Sequence, residues 1–369
     1  MAFAPIQEPK TELGHYRILS SNAGVRVSPL ALGAMSLGTA WSAFLGSVDE
    51  EKSFEVLDYY VDAGGNFVDT ANNYQNEESE IFIGKWMASR ENRDIMFVAT
   101  KFSNSFRTHD LGTGKIVNYG GNNKKSLMLS VNASLQKLQT TYIDLLYELM
   151  DSLHILVEQG KVLYLGISDT PAWVVAAANT YAKAHAKTPF SVYQGRWNVM
   201  DRDFEREIIP MARHFGMALC PWMVLGGGEL QSKKQLEARK GTNESSRFSE
   251  QSEDAAKVSE ALEKVVAEHG TDSIQQIALA YVMKKARNVF PLIGCRKPSH
   301  LEDNIKALSI RLTDSQVKYI ESVKSFDIGF PLNFIGDDPK ETGGYAHMME
   351  LLVRAKIAFP SPPKPVGYE

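Results

Sequence analysis

Two short stretches hold three side chains that could do acid–base chemistry together. "NFVDTANNYQ" (66–75) carries Asp69 and Tyr74, and "VATK" (98–101) ends on Lys101. A phenol, with an ordinary pKa near ~10, is a poor proton donor at neutral pH unless its anion is stabilised. A neighbouring lysine ammonium supplies that stabilisation, and an aspartate paired with the lysine keeps it charged and oriented. A tyrosine so placed can hand a proton to a carbonyl oxygen while hydride arrives at the carbon. Each residue alone has a plainer reading: Asp69 as a strand-end cap, Tyr74 as an ordinary aromatic, Lys101 as a solvated charge. Brought together on successive strand ends, they read as an active site. A Schiff base on Lys101, as in an aldolase, would be a different use of the same amine, and borohydride trapping would reveal it.

The elements that must position these groups alternate along the chain. Apolar runs at 28–35, 66–71, 95–101, 142–147, 162–168, 190–198, 217–228 and 289–294 read as strands. Amphipathic runs at 49–64, 77–89, 124–138, 148–160, 171–185, 203–215, 254–269, 273–286 and 299–307 read as helices. Such alternation argues for a parallel sheet. Eight units over about 270 residues fit an α/β fold of the (β/α)8 TIM-barrel type, which needs ~250. The expected organisation is an N-terminal extension (1–27), the barrel (28–310) and a C-terminal extension (311–369). In such a barrel the C-terminal strand ends converge on one mouth, which brings Asp69, Tyr74 and Lys101 together. The glycine-rich loop 103–123 and the polar segment 229–253, read as a mobile loop or lid, carry no chemistry of their own.

Bulk properties narrow the function classes. The net charge is −4 across 369 residues, which leaves no electrostatic footprint for nucleic acid or an anionic membrane. No run is apolar enough to span a bilayer, and "MAFAPIQEPKTELGHYRIL" lacks an apolar core of signal-peptide length. The chain has two cysteines, Cys220 and Cys295, which fits a reducing, cytoplasmic setting and no disulfide framework. The expected partner is a small-molecule carbonyl substrate. A homo-oligomer stays open.

The chain resembles an aldo-keto reductase of the fungal aryl-alcohol dehydrogenase and norsolorinic acid reductase-like branch. The likeness runs from "TELGHYRILS" to "DIGFPLNF" and rests on "GNFVDTANNYQ", "FVATKFS", "YIDLLY", "VLYLGISDTPAWVV", "FSVYQGRWN", "FEREIIPMARHFGMALCPW" and "LEDNIKALSIRLTD". It implies a barrel that binds NADPH/NADP+ at its C-terminal face, with Tyr74 as proton donor tuned by Lys101 and Asp69. It also implies nicotinamide contacts from Asp69, Ser168, Asp169 and Gln194, with Trp222 stacked on the ring. Met223, Val224, Leu225, Gly226, Gly227 and Gly228 would pass over the pyrophosphate, where glycines allow close backbone approach. Gly294, Cys295, Arg296, Lys297, His300, Asp303 and Asn304 would hold the 2′-phosphate and adenine. Arg296 and Lys297 would supply the charge that favours NADPH over NADH, although "RKPSH" alone could be a solvated basic turn. No metal is expected.

One stretch departs from the family pattern. Relatives continue the fourth barrel strand as Tyr, Val, His, Trp, Trp, Asp, whereas here Tyr147 runs into Glu148 and a helix. The segment missing by that comparison includes the histidine of the catalytic tetrad. His154 reads as a helix-face residue, because a helix climbs away from the mouth. Glu148 reads either as a helix N-terminal carboxylate facing the macrodipole or as a substitute acid that would favour reduction of an enone C=C bond. The main expectation is an NADPH-dependent reductase turning an aldehyde or ketone, aryl or polyketide- or terpenoid-like, into an alcohol of secondary metabolism. The alternatives are an enone reductase and a catalytically impaired NADPH-binding barrel.

Overall fold

The computed structural model describes residues 6–147, 153–239, 251–344 and 356–368. Strands β1 (Arg17–Ser20) and β2 (Ala23–Val27) form an antiparallel hairpin. Eight further strands follow: β3 (Ala31–Gly33), β4 (Phe67–Asp69), β5 (Phe97–Lys101), β6 (Ile143–Tyr147), β7 (Val162–Ser168), β8 (Phe190–Arg196), β9 (Ala218–Trp222) and β10 (Leu292–Gly294). They pair in parallel in the order β10-β3-β4-β5-β6-β7-β8-β9. A parallel bridge between Leu219 and Val289 brings the two edges together. There the Leu219 N–H donates to the Asn288 carbonyl (3.0 Å) and the Phe290 N–H to the Leu219 carbonyl (2.8 Å). With helices between successive strands, this is the (β/α)8 barrel that the alternation predicts.

Local sequence explains the helices. Asp49 caps the helix Glu50–Asp62 by accepting from the Lys52 N–H at 3.0 Å, and Glu50 and Glu51 face the positive end of its dipole. Ser53, Val56, Leu57 and Tyr60 are its buried stripe. Asn123 caps Lys124–Lys137 in the same way, at 2.9 Å. A capping box built by Thr313 and Gln316 starts Asp314–Ser322.

Period-two alternation sorts the strand residues into two apolar layers. Val68, Val98, Leu146, Leu165, Ile167, Tyr193 and Leu219 join the layer between strands and helices. Phe67, Phe97, Ala99, Leu145, Tyr147, Val192, Ala218, Cys220 and Phe290 fill the inside of the barrel. The hairpin belongs to this inner layer through Leu19, Ala23 and Val27. It plugs the N-terminal end: Asn288 Nδ2 donates to the Leu19 carbonyl (2.8 Å) and Asn22 Nδ2 to the Phe215 carbonyl (2.9 Å).

Some elements differ from expectation. The runs 28–35 and 289–294 yield only three strand residues each, Ala31–Gly33 and Leu292–Gly294. The run 203–215 splits into a 3-10 turn, Asp203–Glu205, and a helix, Ile208–Phe215. Within 229–253, Lys233–Arg239 is helical and 240–250 lie outside the described residues. Among the described residues, no helix is long and apolar enough to cross a membrane.

Candidate active site

The same alternation that buries Phe67 and Phe97 aims Asp69 and Lys101 into the barrel at its C-terminal end. Register joins the neighbours: Asp69 is opposite Ala99, Lys101 opposite Tyr147, Tyr147 opposite Gly166, and Ser168 opposite Gln194. Successive strands therefore deliver one polar side chain each to the mouth.

Lys101 is the hub. Its ammonium donates to Asp69 Oδ1 at 2.5 Å and to the Thr70 carbonyl at 2.8 Å. The Tyr74 side chain engages the same ammonium through charge and a hydrogen bond, and Nζ lies 5.3 Å from the centre of its ring. Burial works to lower the Lys101 pKa, but Asp69 and then Tyr74 outweigh it and hold the ammonium above its ordinary value. Burial pushes the Asp69 carboxyl up, against the opposing pull of Lys101 and Gln194. Gln194 Nε2 donates to Asp69 Oδ2 at 2.8 Å, so both carboxylate oxygens are held. Asp69 is buried and Lys101 nearly so, while Tyr74 is half-exposed at the rim. A fixed, charged lysine next to a phenol that solvent-borne molecules can reach is an arrangement able to donate a proton.

The backbone around Tyr74 is strained. Gln75, Asn76 and Glu77 follow it with φ of 54°, 52° and 80°. Left-handed backbone costs a non-glycine residue about 1–2 kcal/mol, so three in succession require compensation. Trp41, from the loop after β3, packs edge-on against Tyr74 with ring centres 6.2 Å apart. Neither Trp41 nor this turn is marked in the sequence, and Tyr147 is marked there only as the last residue before the break in the family pattern. Position two along β6 from Leu145 is the one signal that points Tyr147 inward.

The other expected site residues divide into groups. Ser168, Asp169 and Trp222 form a chain at the mouth: Ser168 Oγ donates to Asp169 Oδ2 (2.9 Å) and Trp222 Nε1 to Asp169 Oδ1 (3.1 Å). Met223, Val224 and Leu225 lead into the 3-10 turn Gly226–Gly228 beside them. Val224 is buried, so only its backbone could face a ligand, and the Met223 carbonyl accepts from Asn198 Nδ2 at 3.0 Å. Gly294 ends β10 and Cys295 follows it; the Cys295 thiol is buried and its pKa is pushed up by burial, to about 12. Asp303 is already held by Ser273 Oγ (2.5 Å) and Gln276 Nε2 (2.6 Å), and Asn304 is buried. Lys297 and His300 are exposed and Arg296 half-exposed. They surround the start of the helix Pro298–Lys306, which has no side-chain cap.

That helix start tests whether a nucleotide cofactor fits. Uncapped backbone N–H groups, a positive dipole end and two strong cations form a donor set suited to a phosphate. The residues present fit such a group.

His154 lies away from the mouth. Its Nδ1 is 3.0 Å from Thr188 Oγ1, just before β8 begins, at the opposite end of the barrel. Glu148, and with it the break in the family pattern after Tyr147, lies outside the described residues. No group of three metal-ligating side chains occurs among the described residues.

Comparison with known proteins agrees with this geometry. The model of the aldo/keto reductase family matches residues 29–325. The chain is 59% identical over 372 residues to a Saccharomyces cerevisiae protein named "Putative aryl-alcohol dehydrogenase AAD14", covering 97% of this chain and 98% of that one. It is 54% identical over 380 residues to the aldo-keto reductase ausK of Aspergillus calidoustus, covering 99% and 96%. It is 47% identical over 354 residues to the norsolorinic acid reductase of Aspergillus flavus, covering 93% and 89%. The chain belongs to the aldo/keto reductase family, and its chemistry is that of a carbonyl oxidoreductase.

Proposed function

We propose that this protein is an NADPH-dependent reductase that converts an aryl aldehyde, or a polyketide- or terpenoid-like ketone, into an alcohol, in the cytoplasm and in the service of secondary metabolism. The observation that carries the reading is the Asp69–Lys101–Tyr74 cluster, with the lysine held at 2.5 Å from the aspartate. The relatives named for aryl-alcohol dehydrogenase and norsolorinic acid reductase support the substrate class. Two free, buried cysteines accord with a reducing compartment.

The bound cofactor would supply hydride to the carbonyl carbon. Tyr74 supplies the proton to the carbonyl oxygen. Lys101 stabilises the phenolate left behind, and Asp69 keeps the ammonium in place. Gln194 locks the second Asp69 oxygen, so the carboxylate does not turn towards substrate. Arg296 and Lys297 would hold the phosphate that distinguishes NADPH from NADH. Trp222, tethered to Asp169, offers a flat face beside the mouth.

The test is NADPH consumption by the purified protein with benzaldehyde, a polycyclic aromatic ketone and an α,β-unsaturated ketone offered in turn. Carbonyl turnover that falls about 10²–10⁴-fold in Tyr74→Phe, with NADPH binding retained, is the expected result. Tight NADPH binding with no turnover of any carbonyl would replace this reading with an impaired cofactor-binding barrel. Turnover of the C=C bond alone would replace it with an enone reductase.

A further inference from the structure

Tyr74 is followed directly by the left-handed run Gln75, Asn76 and Glu77. A conformation that disfavours these residue types persists only where surrounding contacts over-determine it. Here each side chain is anchored, two of them to Trp41. Gln75 is fully buried; its Nε2 donates to the Met35 carbonyl (3.0 Å) and its Oε1 accepts from the Trp41 N–H (2.7 Å). Asn76 Oδ1 accepts from Trp41 Nε1 at 3.1 Å. Glu77 Oε1 pairs with Lys137 Nζ at 2.9 Å.

Lys137 does more than pair with Glu77. Its ammonium also donates to the Asn72 carbonyl at 2.9 Å and pairs with Glu80 Oε2 at 2.8 Å. One cation therefore grips the chain two residues before Tyr74 and three residues after it. Glu80, fully buried, reaches onward: its Oε1 accepts from Thr100 Oγ1 at 2.6 Å, and Thr100 precedes Lys101. The turn that carries the phenol and the strand that carries its lysine thus share one charged anchor. The helix that carries Lys137 approaches Glu78–Arg90 closely, and glycine at 84 makes room for the Lys137 carbonyl.

We propose that Lys137 is a positioning residue for Tyr74, acting through Glu77, Glu80 and the Asn72 carbonyl to hold the strained turn and set the phenol against Lys101. This rests on the reading of Tyr74 as the proton donor.

The test uses the full chain with Lys137→Gln, Glu77→Gln and Tyr74→Phe, singly and with Tyr74→Phe combined with each. With NADPH and benzaldehyde, Lys137→Gln should lower kcat about tenfold to a hundredfold, the scale of a misplaced reacting group, while leaving NADPH affinity unchanged. In the Tyr74→Phe background the same change should add no further loss, since the two act as a unit. A second readout needs no turnover. In fluorotyrosine-labelled protein, the fluorine resonance absent from Tyr74→Phe should shift or broaden in Lys137→Gln, with the others of the 14 tyrosines unmoved. Should Lys137→Gln fail to fold, Glu77→Gln, which leaves Lys137 paired with Glu80, carries both readouts. An unmoved Tyr74 resonance, or a kcat loss that adds in full to that of Tyr74→Phe, overturns the proposal. If Tyr74→Phe is inactive and both clamp variants run at full rate, the clamp alone falls. If Tyr74→Phe keeps its full rate, the proton-donor reading falls and takes the clamp with it.

Discussion

Tyr147 closes the floor of the mouth, and the demands on it differ from those on Tyr74. It is buried, and its ring centre is 5.4 Å from Lys101 Nζ. Burial, then Cys220 and Asp69, push its pKa well above the ordinary tyrosine value, which keeps it a neutral phenol. Its ring fits only because residue 166 is glycine: a Cβ there would lie 2.5 Å from the ring edge. The Tyr147 ring belongs to the packed inside of the barrel, so it has little room to yield. Gly166→Ala is therefore expected to cost about 1–3 kcal/mol of stability by overpacking. Urea unfolding of the two proteins measures this directly. A midpoint equal to that of the parent would mean that the floor is looser than its packing implies.

At the scale of elements, the short strand β10 and the helix Pro298–Lys306 form a place where chain direction, helix dipole and cation placement all favour a phosphate. Arg296 stands between them, with Nη1 3.3 Å from the carbonyl of Leu45, which ends the short helix Ser42–Leu45. Removing a charge-assisted contact of about 1.5–3 kcal/mol predicts that Arg296→Ala weakens NADPH binding roughly 10- to 100-fold. NADH, which lacks the 2′-phosphate, should bind as before. Fluorescence titration with both cofactors checks this, and equal weakening of the two would remove Arg296 from phosphate recognition. The same elements show what is legible in sequence. The inner strands announce themselves because both faces are covered, so a run such as Ile143–Tyr147 is buried throughout. Asp69 and Lys101 are legible as polar ends of such runs. The hairpin β1–β2 is not, because Leu19 and Val27 are buried by the barrel floor rather than by any pattern of their own. The turn after Tyr74 is equally opaque: Gln, Asn and Glu do not announce left-handed backbone as glycine would. Gln194 enters the sequence reading only through the resemblance, and its contact with Asp69 is not legible there, since it spans 125 residues of sequence.

Across the whole molecule, the barrel is tied to the helix Asp314–Ser322 by a half-buried ionic network rather than by apolar contact alone. Arg202, after β8, holds Glu205 with two hydrogen bonds of 2.9 and 2.7 Å. Lys285, ending the helix Ile274–Lys285, pairs with Glu205 (3.1 Å) and with Glu321 of the helix Asp314–Ser322 (2.8 Å). Arg202 completes the circuit to Glu321 at 3.2 Å, and the Tyr281 hydroxyl donates to the same carboxylate at 2.8 Å. Burial pushes the Glu205 carboxyl up, yet Arg202 and Lys285 outweigh it and hold its pKa below the ordinary 4.5. The folded state therefore binds this proton less tightly than the unfolded chain. The stability it contributes is present above the unfolded value and is lost as pH falls through the lower, folded one. Glu205→Gln leaves Arg202 and Lys285, both partly buried, sharing the one carboxylate of Glu321, so at neutral pH it should cost about 1–3 kcal/mol. As pH falls below the ordinary glutamate range, the parent loses its advantage and the gap between the two proteins should narrow. Urea unfolding of both, at neutral pH and at acid pH, measures that gap. A gap that stays constant across the range would mean that Glu205 is not the group through which acid loosens the C-terminal helix from the barrel.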